Sequence, residues 1–187
     1  MDNRAEKLTK VVLTCLFVAL ISIGAYIALP LPGSPVPIVL QNMFIMLAAL
    51  ILGPWWGLAA TCLYLLLGLL GMPVFSGGTG GVVKLLGPTG GYLVGYIPAA
   101  IIMGLVARIG RRKAFQNMIA CLAGMIIVDA LGVLRLKTVL DIGWGKALAA
   151  GLYPFIVGDL IKIGLASLLA PKLFAAMESL TEKDHDA

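Results

Sequence analysis

The stretch PVFSGGTGGVVKLLGPTGG, from Pro73 to Gly91, separates two long apolar segments and is rich in glycine, with two prolines and a single lysine. It is too long for a tight turn, and its insert VVKLL makes it too apolar for an ordinary solvated loop. Glycine allows the backbone to adopt strained torsions and to approach a ligand closely. We therefore expect an ordered loop here, rather than a plain flexible connector.

The composition on both sides of this stretch indicates a membrane protein. Of 187 residues, 60% are hydrophobic and 12% are charged, against about a quarter charged in soluble domains, and the mean hydropathy is +1.03. No alternation of the kind found in membrane barrels is present, so the segments are expected to cross as helices, which satisfy their own backbone hydrogen bonds. The sequence predicts an all-α membrane protein.

Six segments are predicted to cross the membrane as a single integral domain covering residues 1–187. Each is mostly apolar, although several lie near the lower length limit for a hydrocarbon core of about 30 Å. Their approximate bounds are 11–29, 36–52, 56–70, 92–106, 117–136 and 154–169. Non-helical backbone at membrane depth must be buried by protein or line a cavity, so the glycine-rich loop between the third and fourth spans is expected to cap a pocket.

Counting basic residues on the two sides predicts the orientation. One side carries nine, in the N-terminus, the fourth-to-fifth connection and the tail: Arg4, Lys7, Lys10, Arg108, Arg111, Arg112, Lys113, Lys172 and Lys183. The other side carries four, namely Lys84, Arg135, Lys137 and Lys146. Both termini are therefore predicted to be cytoplasmic, with the glycine-rich loop outside. The net charge of +5 is scattered among the spans and indicates topology rather than nucleic-acid binding.

Several chemistries have no support in the sequence. The cysteines Cys15, Cys62 and Cys121 lie in apolar runs without C-x-x-C spacing, and the single histidine, His185, lies in a polar tail, so neither a disulfide framework nor a metal site is predicted. Motifs of P-loop ATPases, H-E-x-x-H metalloproteases and G-x-S-x-G hydrolases are absent. No catalytic residue and no cofactor is predicted.

Ionisable residues inside the apolar spans are the candidate site, because charge at membrane depth is costly. Asp159 and Lys162, three apart, share one face of the sixth span. Either they only neutralise each other, or they face a cavity and bind a ligand with a donor for the carboxylate and an anion for the ammonium. Asp129 in the fifth span is open to three roles: pairing with Lys162, lining that cavity, or reaching the interface. Gln41 and Asn42 offer amides, either to a ligand or between helices.

Three elements carry a resemblance to a known family. They are PLPGSPVPIVLQN at Pro30–Asn42, GLLGMPVFSGGTGGVVKLLGPTGGYLVGY at Gly68–Tyr96, and GLYPFIVGDLIK at Gly151–Lys162. The chain resembles the BioY family, the biotin-specific substrate-binding (S) components of energy-coupling factor (ECF) vitamin transporters, over about residues 19–172. The middle element is the most specific of the three.

The resemblance implies a six-helix S component of a prokaryotic cell membrane that binds biotin in an outward-facing pocket. It implies ligand contacts from Asp159 and Lys162, one to the ureido ring and the other to the carboxylate. On chemistry and resemblance, further ligand contacts are predicted around the pocket, at Gln41, Ser76, Thr79, Thr89, Tyr92, Asp129 and Tyr153.

The resemblance also implies partners, since such components work with a transmembrane coupling subunit and two cytoplasmic ATPase subunits. Family members carry an Ala-x-x-x-Ala pattern for docking on the first helix, matched here by Cys15 and Ala19. Gly24 and Ala28 offer a second small pair, and spacing alone does not choose between the pairs.

Three alternatives to biotin capture have less support in the sequence. An S component for thiamin or riboflavin would be expected to stack its ligand on aromatic side chains, and the sequence predicts few of these near the site. An intramembrane enzyme would need a nucleophile with a base, or convergent acids, and the polar rings of a pore are missing from these apolar helices.

Overall fold

The computed structural model describes residues 3–109 and 113–183, with side chains throughout except at 3, 5 and 178–183. Arg111, Arg112 and His185, which entered the predictions above, lie outside the described residues, as does the side chain of Lys183. The chain is predominantly helical. The elements in order are α1 (Asn3–Tyr26), β1 (Ala28–Leu29), β2 (Ile38–Val39), α2 (Gln41–Leu52), α3 (Pro54–Leu69), α4 (Val82–Leu86), α5 (Gly90–Ile109), α6 (Ala114–Leu140), α7 (Trp144–Gly151) and α8 (Ile156–Lys183).

Four of these helices are long and apolar enough to cross a membrane, namely α1, α5, α6 and α8. Helices α2 and α3 are equally apolar but have only 12 and 16 residues. At 1.5 Å per residue they extend about 18 and 24 Å, short of a hydrocarbon core of about 30 Å. The protein is a multi-pass membrane protein, and its two short helices turn back on each other through Gly53.

Helix α2 forms the centre of the bundle. Ten of its twelve residues are buried, and it packs against α1, α3, α5 and α8. A helix that is apolar on every face is stable when it is surrounded on every face. Its first two residues, Gln41 and Asn42, are therefore held at the centre of one end of the bundle.

Glycines allow the helices to pack at short distances. A side chain at Gly57 of α3 would place its Cβ 2.7 Å from the Cα of Ala49 in α2, and one at Gly95 of α5 would place it 2.9 Å from the Cα of Val128 in α6. Close approach through small residues is a usual way for helices to pack in membranes. The packing fixes α2 and α6 on either side of the space described below.

The first helix ends earlier than its predicted span, and the second helix begins later than its predicted span. Helix α1 ends at Tyr26, and α2 begins at Gln41 rather than near residue 36. Between them, β1 and β2 pair antiparallel, with Ala28 opposite Val39. Proline removes backbone donors and disfavours helix, and the connection contains Pro30, Pro32, Pro35 and Pro37. The proposed Gly24–Ala28 pair on one helix is wrong, because Ala28 lies in β1.

The glycine-rich stretch folds into turns and one short helix. Phe75 forms an isolated bridge with Thr79, φ is positive at Gly77, Gly78 and Gly81, and α4 follows. The ring of Phe75 is only 1% exposed and packs edge-on against Tyr64, with centroids 5.6 Å apart. A Cβ at Gly68 would lie 2.2 Å from this ring, so the absence of a side chain at Gly68 leaves room for the ring of Phe75. Phe75 anchors the stretch to α3.

The last helix is longer than its predicted span. It begins at Ile156 and continues to Lys183, past the predicted end at residue 169 and through Pro171. The sequence around Pro171 is still apolar, and the window that is long enough to cross extends to Met177. The remaining predicted spans agree with α3, α5 and α6 to within four residues at each end.

Candidate functional site

A cavity opens within the bundle, where α2, α5 and α8 begin. We call it the main cavity. Its polar side chains include Gln41, Asn42, Lys84, Asp129, Asp159 and Lys162. Pockets for small ligands usually combine apolar walls with a few placed polar groups in this way.

Asp159 and Lys162 form a buried ion pair on the first turns of α8. Lys162 Nζ lies 2.7 Å from Asp159 Oδ1, and the two side chains are 7% and 10% exposed, respectively. Asn42 bridges them, because its Nδ2 donates to Asp159 Oδ1 at 2.9 Å and its Oδ1 accepts from Lys162 Nζ at 3.0 Å. The three side chains form a closed network across α2 and α8.

The two charged groups of the network differ in how many of their hydrogen-bonding positions are used. Lys162 Nζ also donates to the carbonyl of Val39 at 3.2 Å, so the ammonium makes hydrogen bonds to Asn42 and Val39 and an ion pair with Asp159. No hydrogen bond from a described residue reaches Asp159 Oδ2. The carboxylate therefore retains an acceptor oxygen, whereas the ammonium already contacts three oxygen atoms.

Gln41 supplies an unpaired N–H donor to the cavity that Asp159 also lines. The residue is 2% exposed, it lines the main cavity, and its Nε2 is buried without a hydrogen-bond partner among the described residues. A buried N–H left unpaired costs about 1–3 kcal/mol. A ligand with an acceptor for Gln41 and a donor for Asp159 would satisfy both groups.

Aromatic side chains form much of the remaining wall. Phe75, Tyr92, Tyr96 and Phe155 all line the main cavity, and the hydroxyl of Tyr92 donates to the carbonyl of Gly151 at 2.6 Å. The expectation of few aromatic residues near the site is wrong. These residues are spread from position 75 to 155, and only the packing of the helices brings them together.

Most of the predicted contact residues meet in this one place. Asp159, Lys162, Gln41, Ser76, Thr89, Tyr92 and Asp129 all line the main cavity. Asp129 does so without an ion pair to Lys162, which pairs with Asp159 instead. Thr79 and Tyr153 are not in the lining: the Thr79 hydroxyl donates to the Ser76 carbonyl within its turn, and Tyr153 is 58% exposed.

Two further polar residues line the main cavity, Asn42 and Lys84. The sequence left the Asn42 amide open to a ligand or to a contact between helices, and it indicated Lys84 only as a charge for topology. The adjacency of Asn42 to Gln41 was the available signal for the first. For Lys84 the signal was its position as the single lysine of the glycine-rich stretch.

The two residues matched to the docking pattern lie on the surface of α1. Cys15 and Ala19 are both exposed, one helical turn apart, on a face that also presents Leu16 and Ile23. Residues four apart share a helix face. The face is apolar and is not covered by any other described element.

Comparison with known proteins agrees with this architecture. A crystal structure at 2.1 Å of the S-component for biotin from an ECF-type ABC transporter matches with a TM-score of 0.86 and 33% identity, covering 92% of this chain and 94% of that chain. A protein of Thermotoga maritima named biotin transporter BioY is 44% identical over 160 residues, 84% of this chain and 91% of the relative.

A third relative and a family model extend the match. A protein of Pyrococcus horikoshii named probable biotin transporter BioY is 40% identical over 167 residues, 89% of this chain and 97% of the relative. The model of the BioY family matches residues 1–179. With a match of this length and relatives of this similarity, the chain belongs to the BioY family.

Proposed function

We propose that this chain is the biotin-capturing S component of an ECF-type vitamin transporter, and that the main cavity holds the ligand. The observation that carries the proposal is that an unused acceptor on Asp159 and an unused donor on Gln41 belong to the lining of one largely apolar cavity. The role is transport rather than catalysis.

The chemistry of biotin matches this arrangement from one end to the other. Its ureido ring offers two N–H donors and a carbonyl acceptor, which suit Asp159 Oδ2 and Gln41 Nε2. Its thioether ring and valeryl chain are apolar and suit Tyr92, Tyr96 and the other aromatic walls. Biotin therefore supplies the hydrogen bonds that the two groups lack.

The ligand carboxylate is assigned to Lys84. Because Lys162 already donates two hydrogen bonds and forms an ion pair with Asp159, it would have to give up one of these contacts to receive the carboxylate. Lys84 also lines the main cavity, and its ammonium makes no hydrogen bond or ion pair with any residue that the structure describes. Lys162 then acts by orienting Asp159 and Asn42.

Six membrane crossings and an outward-facing cavity are part of the proposal. Helices α1, α3 and α6 end, and α2, α5 and α8 begin, at the end of the bundle that holds the cavity, so successive helices run in alternating directions. The short helices α2 and α3 cross with local thinning of the bilayer. The basic residues then place the cavity and the glycine-rich stretch outside and both termini in the cytoplasm.

The proposed partners are a transmembrane coupling subunit and two cytoplasmic ATPase subunits, as the ECF-type neighbour suggests. The exposed face of α1 around Cys15 and Ala19 is the proposed docking surface for the coupling subunit, since small residues allow helices to approach closely. Energy for transport comes from these partners.

The test is equilibrium binding of labelled biotin to the purified full-length chain in nanodiscs, with thiamin and riboflavin as competitors. We expect saturable binding that unlabelled biotin displaces and the other two vitamins do not. Displacement by thiamin or riboflavin would mean that the aromatic walls select another vitamin. A chain that is folded but binds none of the three would refute the proposal.

A further inference from the structure

A second cavity, of about 400 Å³, adjoins the main cavity. We call it the entrance cavity. Three of its lining residues, Pro37, Ser76 and Lys84, also line the main cavity, and the others include Ala28, Ser34 and Gly77. The two spaces are therefore neighbours across a shared wall. Pro30, Pro35 and Gly77 are exposed, so the entrance cavity is the outer of the two.

The walls of the entrance cavity are held in place by hydrogen bonds. The hydroxyl of Ser34 donates to the carbonyl of Ala150 at 2.7 Å and accepts from the amide of Val36 at 3.0 Å. On the other side, the amide of Gly77 donates to the carbonyl of Ala25 at 3.2 Å. These bonds join the β1–β2 connection to α7 and the glycine-rich stretch to α1, so the space is a built feature of the fold.

Lys84 stands at the junction of the two cavities. It is the only charged residue in the described lining of the entrance cavity, whereas Asp159 and Lys162 line the main cavity alone. A ligand whose ring occupies the Asp159 end and whose carboxylate reaches Lys84 would direct its terminal carbon toward the entrance cavity. Atoms attached beyond that carboxylate would lie in the entrance cavity.

We propose that the entrance cavity is a second subsite, which accepts groups joined to the biotin carboxylate through an amide. The inference rests on the proposed function. The ligand class is biotin amides of primary amines, for example ε-N-biotinyl-lysine. The amide carbonyl remains an acceptor for Lys84, although it carries no charge. The extension itself passes between the Ser34 and Gly77 walls.

The experiment compares biotin with ε-N-biotinyl-lysine on the full-length chain in nanodiscs. We expect both to bind, with the amide weaker by no more than about tenfold. The ion pair with Lys84 is replaced by a hydrogen bond to a neutral carbonyl, which is weaker, while the added atoms are accommodated in the entrance cavity. In Ala28→Phe, a ring is placed in the entrance cavity alone. This variant is expected to keep its biotin affinity within about threefold and to lose at least about tenfold for the amide.

Matched controls separate this inference from the proposed function. Ala149→Phe, at an exposed position of α7 that lines neither cavity, is expected to change neither affinity. If Ala28→Phe fails to fold, a series of biotin amides with increasingly bulky amines gives the same comparison on the wild-type chain. The affinity should fall once the amine is too large for the entrance cavity. Binding of biotin with no binding of any amide would overturn the second subsite alone. Equal losses for biotin and amide in Ala28→Phe would also overturn it, and absence of biotin binding would remove both proposals.

Discussion

Asn42 and Asp159 are 117 positions apart in sequence, yet the amide nitrogen of Asn42 donates to the carboxylate of Asp159 at 2.9 Å. The same amide accepts from Lys162 through its oxygen, so one side chain of α2 completes the network that α8 begins. The ion pair is thus both a structural bridge between two helices and part of the cavity wall. The two roles that the sequence left open can be separated by substitution.

Asp159→Asn removes the counter-charge of a buried ammonium, and breaking a buried pair in this way costs about 3–5 kcal/mol. We expect a lower midpoint of thermal unfolding and loss of biotin binding. Adding Lys162→Met removes the second charge and should recover most of the unfolding midpoint, because an apolar replacement of a whole buried pair is often tolerated. Biotin binding should remain lost. A double variant that binds like the wild type would make the pair structural only.

Asn42→Ala deletes the bridge while leaving the ion pair intact. Hydrogen bonds to charged groups contribute about 1.5–3 kcal/mol, so we expect biotin affinity to fall by at least about tenfold through misorientation of Asp159. Isothermal titration against biotin measures this. Gln116→Ala, an amide deletion on α6 outside the main and entrance cavities, is the control. An unchanged affinity in Asn42→Ala would show that Asp159 is positioned by α8 alone.

Gln41→Leu is expected to change stability and affinity in opposite directions. The buried Nε2 of Gln41 has no hydrogen-bond partner among the described residues. Replacing the Gln41 side chain by an apolar one of similar size should therefore leave the unfolding midpoint unchanged or higher. Biotin affinity should fall by about two- to tenfold, the worth of one hydrogen bond. A drop in stability with no change in affinity would mean that Gln41 has a protein partner and no ligand contact.

Lys84→Met tests which lysine receives the carboxylate. Loss of a charge-assisted hydrogen bond should weaken biotin by about tenfold or more, while the affinity for biotin methyl ester, which carries no charge, should change little. Lys146→Met, at an exposed position of α7, should leave both affinities unchanged. If Lys162→Met instead shows the pattern expected for Lys84→Met, the carboxylate lies at Lys162.

Ala19→Trp is expected to separate binding from assembly. Ala19 lies on the exposed face of α1, away from the main cavity, so biotin affinity should equal that of the wild type. Copurification with the coupling subunit should be lost, because a large side chain prevents close helix approach. Leu168→Trp, at a position of α8 that is 60% exposed, serves as the control. Normal copurification of Ala19→Trp would place docking on another surface.

Local patterns in the sequence were sufficient for the helical elements and for one pair of the site. The apolar runs predicted α3, α5 and α6 closely, because a helix in a membrane satisfies its backbone within the segment. The three-residue spacing of Asp159 and Lys162 placed them on one helix face. The end of α1 at Tyr26 was missed, because an apolar run continues past the point where the chain turns to pair Ala28 with Val39.

The sequence by itself determined a helical membrane protein of the BioY family, because hydropathy and the glycine-rich motif are properties of contiguous residues. Only the tertiary structure decided that Asn42 joins Asp159 to Lys162, that Lys84 lines two cavities, and that Thr79 and Tyr153 lie outside the main cavity. These facts depend on how helices far apart in sequence pack around α2. Close packing through residues such as Gly57 and Gly95 fixes those distances, and no local periodicity records them.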